Sequence, residues 1–341
     1  MQRVDFLVSG GDRVSTSYEV VYRNPVLNML WQHSRVDPAK PIAVDDDRRT
    51  FETFLRHLHG EEVNLSNNGL THLITLLKCA HKYQCYRLGT AILSQLSQHC
   101  CAESVLHVYK VLQPLPELPA NSDPAAPSAP PETDLVESDP EQAEFAKLLL
   151  HTFQRCLQVI DNNSVEVLAS DPLLALEPQQ VLELAQRDSL QARELDIGRA
   201  VLRWLRHYSL SFRLDPEQRR QLVLGALRLL TMSPKELKKL ELEREGVLTR
   251  EELERVLEFA HHGTAVLPES IEPYREYWLC RRRGGARSRG VLQRLMERTR
   301  GGHGLDERDS VERREAALQR RSRRADKVKM ALATGASFIF D

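Results

Sequence analysis

Residues of types that could carry chemistry occur at several places in this 341-residue chain. The first is "SGGD" at 9–12, which follows a strand-like run and invites comparison with a phosphate-binding loop. Such loops need a third glycine or a lysine and a following helix, whereas polar, strand-like sequence follows here. The pattern therefore predicts a tight turn.

A metal site could be imagined from Cys79, His81 and Cys85. On a helix, Cys79 and His81 lie on different sides, and no second pair of ligands completes a tetrahedral set. Buried structural roles are therefore expected, and we predict neither a metal ion nor a cofactor. The same lack of partners at ligand spacing applies to the remaining histidine pairs, His57/His59 and His261/His262.

Three aspartates, at 45–47, end a strand-like run directly before "RRTFETFLRHL". Carboxylates at that position favour the positive end of the following helix, so we interpret the cluster as a helix cap. The chain contains no recognisable nucleophile–base set, paired carboxylates or cofactor fingerprint. The sequence therefore predicts a protein that is not an enzyme.

A last candidate is the pair Glu194 and Trp204, ten residues apart on one predicted helix. Glu194 falls in the first helical turn, where a carboxylate can accept from free backbone donors. Trp204 belongs to an apolar stripe with three-four spacing, so it is expected to be buried as a packing anchor. We interpret the pair as a structural signature rather than an active site. The other members of the stripe are Ile197, Val201, Leu205 and Tyr208.

Charge is distributed unevenly along the chain. The total is −1, yet residues 280–330 hold 17 Lys and Arg against 7 Asp and Glu. A basic tail therefore follows an acidic body. No apolar run approaches the roughly 20 residues that cross a bilayer, and residues 1–15 lack a signal-peptide pattern. We expect a cytoplasmic protein, with the nucleus as an additional location, and free thiols rather than a disulfide framework.

Composition divides the chain into four segments. Residues 1–112 hold the strand-like runs "VDFLVS" and "KPIAVDD" ahead of helical periodicity. Prolines every few residues predict a disordered linker at 113–140. Helical spacing dominates 141–262, where Thr249 and Glu252 form a capping box. From 263 to 341 the apolar period fails, which predicts a basic tail that is disordered or ordered only by a partner. Helices are expected at Gln179–Gln186, Arg193–Tyr208, Pro216–Leu230, Lys235–Leu242 and Thr249–His261.

Several stretches of the first segment resemble a BTB/POZ domain, a small sheet joined to helical hairpins. They are "DFLVS", "YRNPVLNMLW", "KPIAVDDDRRTFETFLRHLHGEEVNL" and "THLITLLKCAHKYQCYRLGTAIL", and they follow one another in the family's order. The resemblance implies an α+β domain over 1–112 that includes the first helix of an adjoining helix pair.

The stretch "VIDNNSVEVLASDPLLALEPQQVLELAQRDSLQARELDIGRAVLRWL" resembles the opening of an all-α BACK domain without a gap. It is similar to the variety found in BTB-BACK proteins that often carry a further PHR domain; we expect no PHR domain here. Eleven positions keep the register: Ile160, Asp161, Leu168, Ser170, Leu173, Leu176, Arg187, Leu190, Glu194, Ala200 and Trp204.

The resemblance implies a function. BTB-BACK proteins commonly act as dimeric adaptors that present a protein substrate to a cullin-3 ubiquitin ligase, and we expect the same of this chain, with the substrate unknown. The candidate cullin-binding residues, each also able to serve as domain core, are Leu27, Leu30, Trp31, Tyr83, Val105, Leu106 and Val108.

The chain departs from the family pattern at two places. Arg3, Thr16 and Ser17 occupy positions that build the charged dimer pocket in relatives, which weakens the expectation of a homodimer. The segment "QHSRVDPAKP" lacks the apolar-x-Glu motif of cullin-binding relatives. The alternative is therefore a BTB-BACK scaffold or transcription-related assembly protein without a ligase role, whose basic tail contacts nucleic acid. Nucleic acid is the less favoured partner, and no membrane partner is expected.

Overall fold

Alternating apolar residues give the first strand one buried face, formed by Val4, Phe6 and Val8. The computed structural model describes residues 3–34, 40–113, 139–211, 214–263 and 266–282. Its three strands form a sheet of order β2-β1-β3, in which β1 pairs antiparallel with β2 and parallel with β3. The strands are β1 (Arg3–Ser9), β2 (Arg13–Ser17) and β3 (Ile42–Asp47).

The turn predicted at "SGGD" is confirmed, because it joins β1 to β2 as a hairpin. Gly10 and Gly11 have φ of 96° and 84°, values that favour glycine over any side chain.

The helix cap predicted at the three aspartates is confirmed for Asp47 only, whereas Asp45 and Asp46 form ion pairs with Lys82. The Asp47 carboxylate accepts from the Thr50 backbone N–H at 2.9 Å and caps the third helix.

Two compact units divide the chain, Met1–Val159 and Ile160–Asp341. The first combines the sheet with helices, and its core includes the stacked rings of Phe54 and Tyr83, whose centroids are 4.9 Å apart. The helices of this unit are α1 (Tyr18–Arg23), α2 (Pro25–Ser34), α3 (Arg48–Leu58), α4 (Leu70–Lys82), α5 (Tyr86–Gln98), α6 (Val105–Leu112) and most of α7 (Pro140–Asn162).

The described residues of the second unit are helical and contain no strand. An α+β domain followed by an all-α domain is therefore the fold, as the sequence predicts. The helices of the second unit are α8 (Ser164–Ala169), α9 (Pro178–Gln186), α10 (Glu194–Ser211), α11 (Pro216–Ala226), α12 (Pro234–Lys238), α13 (Arg250–His262) and α14 (Arg275–Leu279). Short 3-10 turns lie at Asp171–Ala175, Leu229–Thr231 and Glu272–Tyr274.

Two predicted segments lie largely outside the described residues. They are the proline-rich linker, of which 114–138 is not described, and the basic tail from 283 onward. The prediction that the disordered tail begins at residue 263 is wrong, because residues 266–282 are folded. This segment forms α14 and buries Tyr277 and Trp278, whose Nε1 donates to the Leu224 carbonyl at 2.9 Å. The segment folds although it contains few apolar residues, because each aromatic side chain buries a large area.

The capping box predicted at the start of α13 is confirmed, and the structure adds a buried ion pair to it. Thr249 and Glu252 exchange side-chain and backbone hydrogen bonds. The Glu252 carboxylate also binds the Arg220 guanidinium at 2.6 and 2.9 Å and accepts from the Ser270 hydroxyl. Burial alone would raise the pKa of Glu252, but these donors lower it to about 2.

We expect the second unit to lose stability in acid through this carboxylate. The folded pKa lies below the ordinary value of 4.5, so the stabilisation is complete above pH 4.5 and disappears as the pH falls towards 2. At about 1.4 kcal/mol per pKa unit, the lowering from 4.5 to about 2 corresponds to a contribution on the order of 3–4 kcal/mol at neutral pH. Urea denaturation at several pH values should show a smaller drop between pH 5 and 2 for Glu252→Gln than for the wild type. An equal drop in both proteins would contradict the assignment.

Candidate functional site

Six of the seven residues predicted to face cullin-3 are buried in the first unit. Only Leu30 is partly exposed. A side chain enclosed by its own domain cannot contact a partner directly, so the prediction is corrected: these residues build the framework beneath a surface. The buried six are Leu27, Trp31, Tyr83, Val105, Leu106 and Val108.

Tyr83 shows how this framework is held. It follows α4, and its hydroxyl donates to the Asp46 carboxylate of β3 at 2.6 Å. Burial raises the pKa of the Tyr83 hydroxyl, and the hydrogen bond to the Asp46 carboxylate raises it further, so the hydroxyl stays neutral. Buried Asn24 donates to the Tyr83 carbonyl at 2.8 Å and accepts from the Leu27 N–H at 2.9 Å. The end of α4 and the start of α2 are thereby tied together.

Exposed apolar side chains on α1 and α2 were not predicted from the sequence. Tyr22 is 63% exposed and Met29 is 50% exposed. The two helices pack against each other, so both side chains and partly exposed Leu30 lie on one helical pair. The signal was present in α2, because Met29 is two residues from Leu27 and therefore falls off its buried stripe. These exposed apolar groups are the candidate contacts for a partner on the first unit.

Of the three positions that the resemblance assigns to a dimer pocket, two have side-chain partners within the chain, Arg3 and Thr16. Arg3 forms an exposed ion pair with Asp5 at 3.5 Å. Thr16 is buried, and its hydroxyl lies 3.0 Å from His59 Nε2. Ser17 precedes α1 without a side-chain capping bond. The contacts of Arg3 and Thr16 are therefore made within the first unit itself.

Trp204 is fully buried on α10, as predicted. Its Nε1 donates to the Leu176 carbonyl at 3.0 Å, and its ring stacks on Tyr208 with centroids 4.7 Å apart. The indole therefore joins α10 to the segment that precedes α9, using both its apolar body and its one donor.

Glu194 has a more specific role than the predicted interaction with its own helix terminus. Its carboxylate accepts from the backbone N–H of Arg228 at 2.7 Å and from the Arg282 guanidinium at 2.8 and 2.9 Å. The Arg282 side chain is only 2% exposed, so this is a buried ion pair between residues 88 positions apart. It ties the segment after α14 to the first turn of α10.

A second buried arginine, Arg228, extends this network. Its guanidinium donates to the Gln186 carbonyl at 3.0 Å and to the Asp188 carboxylate, and lies 5.2 Å from the Tyr277 ring centroid. Nearby, Arg187 binds the Asp161 carboxylate through two bonds of 2.7 and 2.9 Å. Opposite charges are therefore paired throughout, and the network serves packing rather than acid–base chemistry.

Sequence reasoning did not find Arg228 or Arg282. Arg228 stands between two leucines, a pattern that is also common at surfaces, and Arg282 is the middle residue of three consecutive arginines, a pattern typical of a solvated tail. The two arginines are buried because the fold brings them against Gln186, Glu194 and Cys280, which are distant from them in the sequence.

Cys79 is buried and behaves as a core thiol, because burial raises its pKa. Within the described ranges, no group of three or more His, Cys, Asp or Glu side chains is placed to hold a metal ion. None of the described helices is both long and apolar enough to span a bilayer.

Comparisons with known proteins agree with this architecture. Residues 143–241 match the family model "BACK: BTB And C-terminal Kelch". "BTB/POZ domain-containing protein 9" of Rattus norvegicus and that of Mus musculus are each 37% identical over 82 residues. The matched stretch is 24% of this chain and spans only 12% of each relative. These matches show that part of the chain is similar to BACK-domain and BTB/POZ proteins, and the sheet-and-helix unit that precedes the BACK region is consistent with that similarity.

Proposed function

We propose that the chain is a non-catalytic adaptor that joins a protein substrate to a cullin-3 ubiquitin ligase. The observation that carries the proposal is the BACK match over 143–241 behind an α+β unit of BTB type. Similarity to BTB-BACK proteins supports an adaptor or scaffold role. The cullin-3 ligase role is a more specific proposal within that class. We place this activity in the cytoplasm, with the nucleus as a second location.

The surface proposed to bind cullin-3 is the exposed part of α1 and α2, represented by Tyr22, Met29 and Leu30. On α2, Leu27 and Trp31 are buried on the other side of the same helix. In relatives, the segment after the helix matching α2 contributes an apolar-x-Glu motif. The corresponding residues 35–39 lie outside the described part of the chain. Exposed apolar groups on α2 supply the surface chemistry instead.

We expect the purified full chain to retain the recombinant N-terminal region of cullin-3 in a pull-down. Met29→Asp should weaken that binding at least about 10-fold, because burying an unpaired charge in an apolar interface costs several kcal/mol. Val165→Asp is the matched control, since Val165 is 55% exposed but lies in the second unit. Titration calorimetry measures both affinities.

Two outcomes would redirect the proposal. If the wild type does not retain cullin-3, the ligase role fails and the scaffold alternative takes its place. If Val165→Asp weakens binding as much as Met29→Asp does, the surface is assigned to the wrong helices. Light scattering on the same samples tests the oligomeric state: a mass of about twice the 39.0 kDa chain would show a homodimer, and a mass near 39.0 kDa would show that the departures at Arg3, Thr16 and Ser17 remove it.

A further inference from the structure

Two thiols of the first unit lie in direct contact although they are 56 residues apart in the sequence. Cys100, just after α5, and Cys156, in α7, have their Sγ atoms 3.5 Å apart. Cys156 is fully buried, whereas Cys100 is 7% exposed. The protein therefore encloses a thiol pair with one member at the edge of the core.

The packing around the pair keeps α5 and α7 close together. Phe145 of α7 covers Gly89 of α5 so tightly that a Cβ at position 89 would lie 2.6 Å from the ring. Further along, Arg155 Nε donates to the Ser97 carbonyl at 3.1 Å. Contacts at both ends therefore hold Cys156 opposite Cys100. A disulfide needs an S–S distance of about 2.0 Å, so the sulfurs must approach by roughly 1.5 Å.

We propose that Cys100 and Cys156 form a reversible disulfide when the protein meets a hydroperoxide. This is a modification site independent of the adaptor role. Cys100 is the attacking thiol because it is the more accessible of the two, and Cys156 is the resolving thiol.

The chemistry balances in two steps. The Cys100 thiolate attacks one peroxide oxygen, the O–O bond breaks, and Cys100 becomes a sulfenic acid. The hydroxide or alkoxide that leaves takes up the proton that the Cys100 thiol released, which gives water or an alcohol. The Cys156 sulfur then attacks the Cys100 sulfur, the S–O bond breaks, and a second water leaves. Two thiols are oxidised by two electrons in total, and the peroxide accepts both.

The electrostatics of the pair agree with this division of roles. The hydrogen bond from the Cys156 thiol lowers the pKa of Cys100, with burial acting in the opposite direction. The same contact, together with burial, raises the pKa of Cys156. Cys100, the more accessible of the two sulfurs, is therefore the thiol of the pair that ionises more readily and that peroxide meets first.

The neighbouring Cys101 provides a matched control. It is exposed, and its sulfur lies 3.1 Å from the Ser104 hydroxyl. Trypsin releases Cys100 and Cys101 together on the peptide 88–110 and releases Cys156 on 156–187. Cys101→Ser therefore decides which of the two adjacent cysteines is linked.

The test treats the full chain with hydrogen peroxide, alkylates the remaining thiols and analyses tryptic peptides by mass spectrometry. We expect a species in which 88–110 and 156–187 are joined and 2 Da lighter than the sum of the free peptides. The joined species should persist in Cys101→Ser, disappear in Cys156→Ala and revert with dithiothreitol. The melting temperature of the oxidised wild type should rise by several degrees, because the bond constrains the unfolded chain.

Three results would overturn the inference. One is the absence of the joined species at peroxide concentrations that already oxidise Cys101. Another is its loss in Cys101→Ser, which would assign the bond to the exposed thiol. The third is over-oxidation of Cys100 to a sulfinic acid without any linked peptide. Because the peptide maps of the wild type and of Cys101→Ser together identify the linked cysteines, the result stands even if Cys156→Ala folds poorly.

Discussion

Replacing Trp204 with alanine is expected to lower the free energy of unfolding of the second unit by about 3–5 kcal/mol. The side chain is fully buried, and its removal leaves a cavity between α10 and the Leu176 segment. It also leaves the Leu176 carbonyl without its donor, which adds a desolvation cost. Guanidinium denaturation followed by circular dichroism measures the loss.

Two further variants separate the contributions of volume and hydrogen bond. Trp204→Phe keeps most of the apolar area but removes Nε1–H, so we expect an intermediate loss of about 1–3 kcal/mol. Val165→Ala, at a side chain 55% exposed in the same unit, should change the free energy by no more than about 0.5 kcal/mol. A loss below about 1 kcal/mol for Trp204→Ala would mean that Trp204 is a surface residue available to a partner.

The second large effect is expected at the buried pair of Glu194 and Arg282. Glu194→Gln keeps the shape of the side chain but leaves the Arg282 guanidinium buried without its counter-charge. Removing one member of such a pair costs about 3–5 kcal/mol. Arg282→Met should cost a similar amount, since Glu194 then retains only the Arg228 backbone N–H.

A double-mutant cycle isolates the interaction. Glu194→Gln combined with Arg282→Met should cost less than the two single changes added together, because the pair is lost only once. Asp196→Asn, two positions from Glu194 on α10, is the matched control. Asp196 pairs with Arg193 at 2.8 Å, and the Arg193 side chain is 53% exposed. That exposed pair should contribute about 1 kcal/mol or less. Strict additivity of the cycle would contradict a direct interaction between Glu194 and Arg282.

Local sequence rules were sufficient where one segment determined its own structure. The hairpin at Gly10 and Gly11 follows from backbone sterics, and the caps at Asp47 and Thr249 follow from unsatisfied backbone donors. Periodicity located the helices, with ends shifted by a few residues. Resemblance in fixed register added the domain types, which composition and spacing could not have supplied.

Predictions about surface and partner depended on information that a local pattern lacks. The same apolar residue is compatible with a core and with a binding face, and the structure assigned Val105, Leu106 and Val108 to the core. Conversely, Met29 became a candidate contact only when α2 turned Leu27 and Trp31 inward. Spacing gives a helix its stripes, but the packing of neighbouring elements decides which stripe is covered.

The sequence by itself determined the order of elements, the α+β and all-α halves, and Trp204 as a packing anchor. Only the tertiary structure decided that residues 266–282 belong to the folded second unit, that Arg282 neutralises Glu194, and that Cys100 meets Cys156. The physical reason is distance along the chain. Turns, caps and helical stripes arise between residues a few positions apart, whereas these contacts join residues 56 and 88 positions apart, and only the packing of whole helices brings them together.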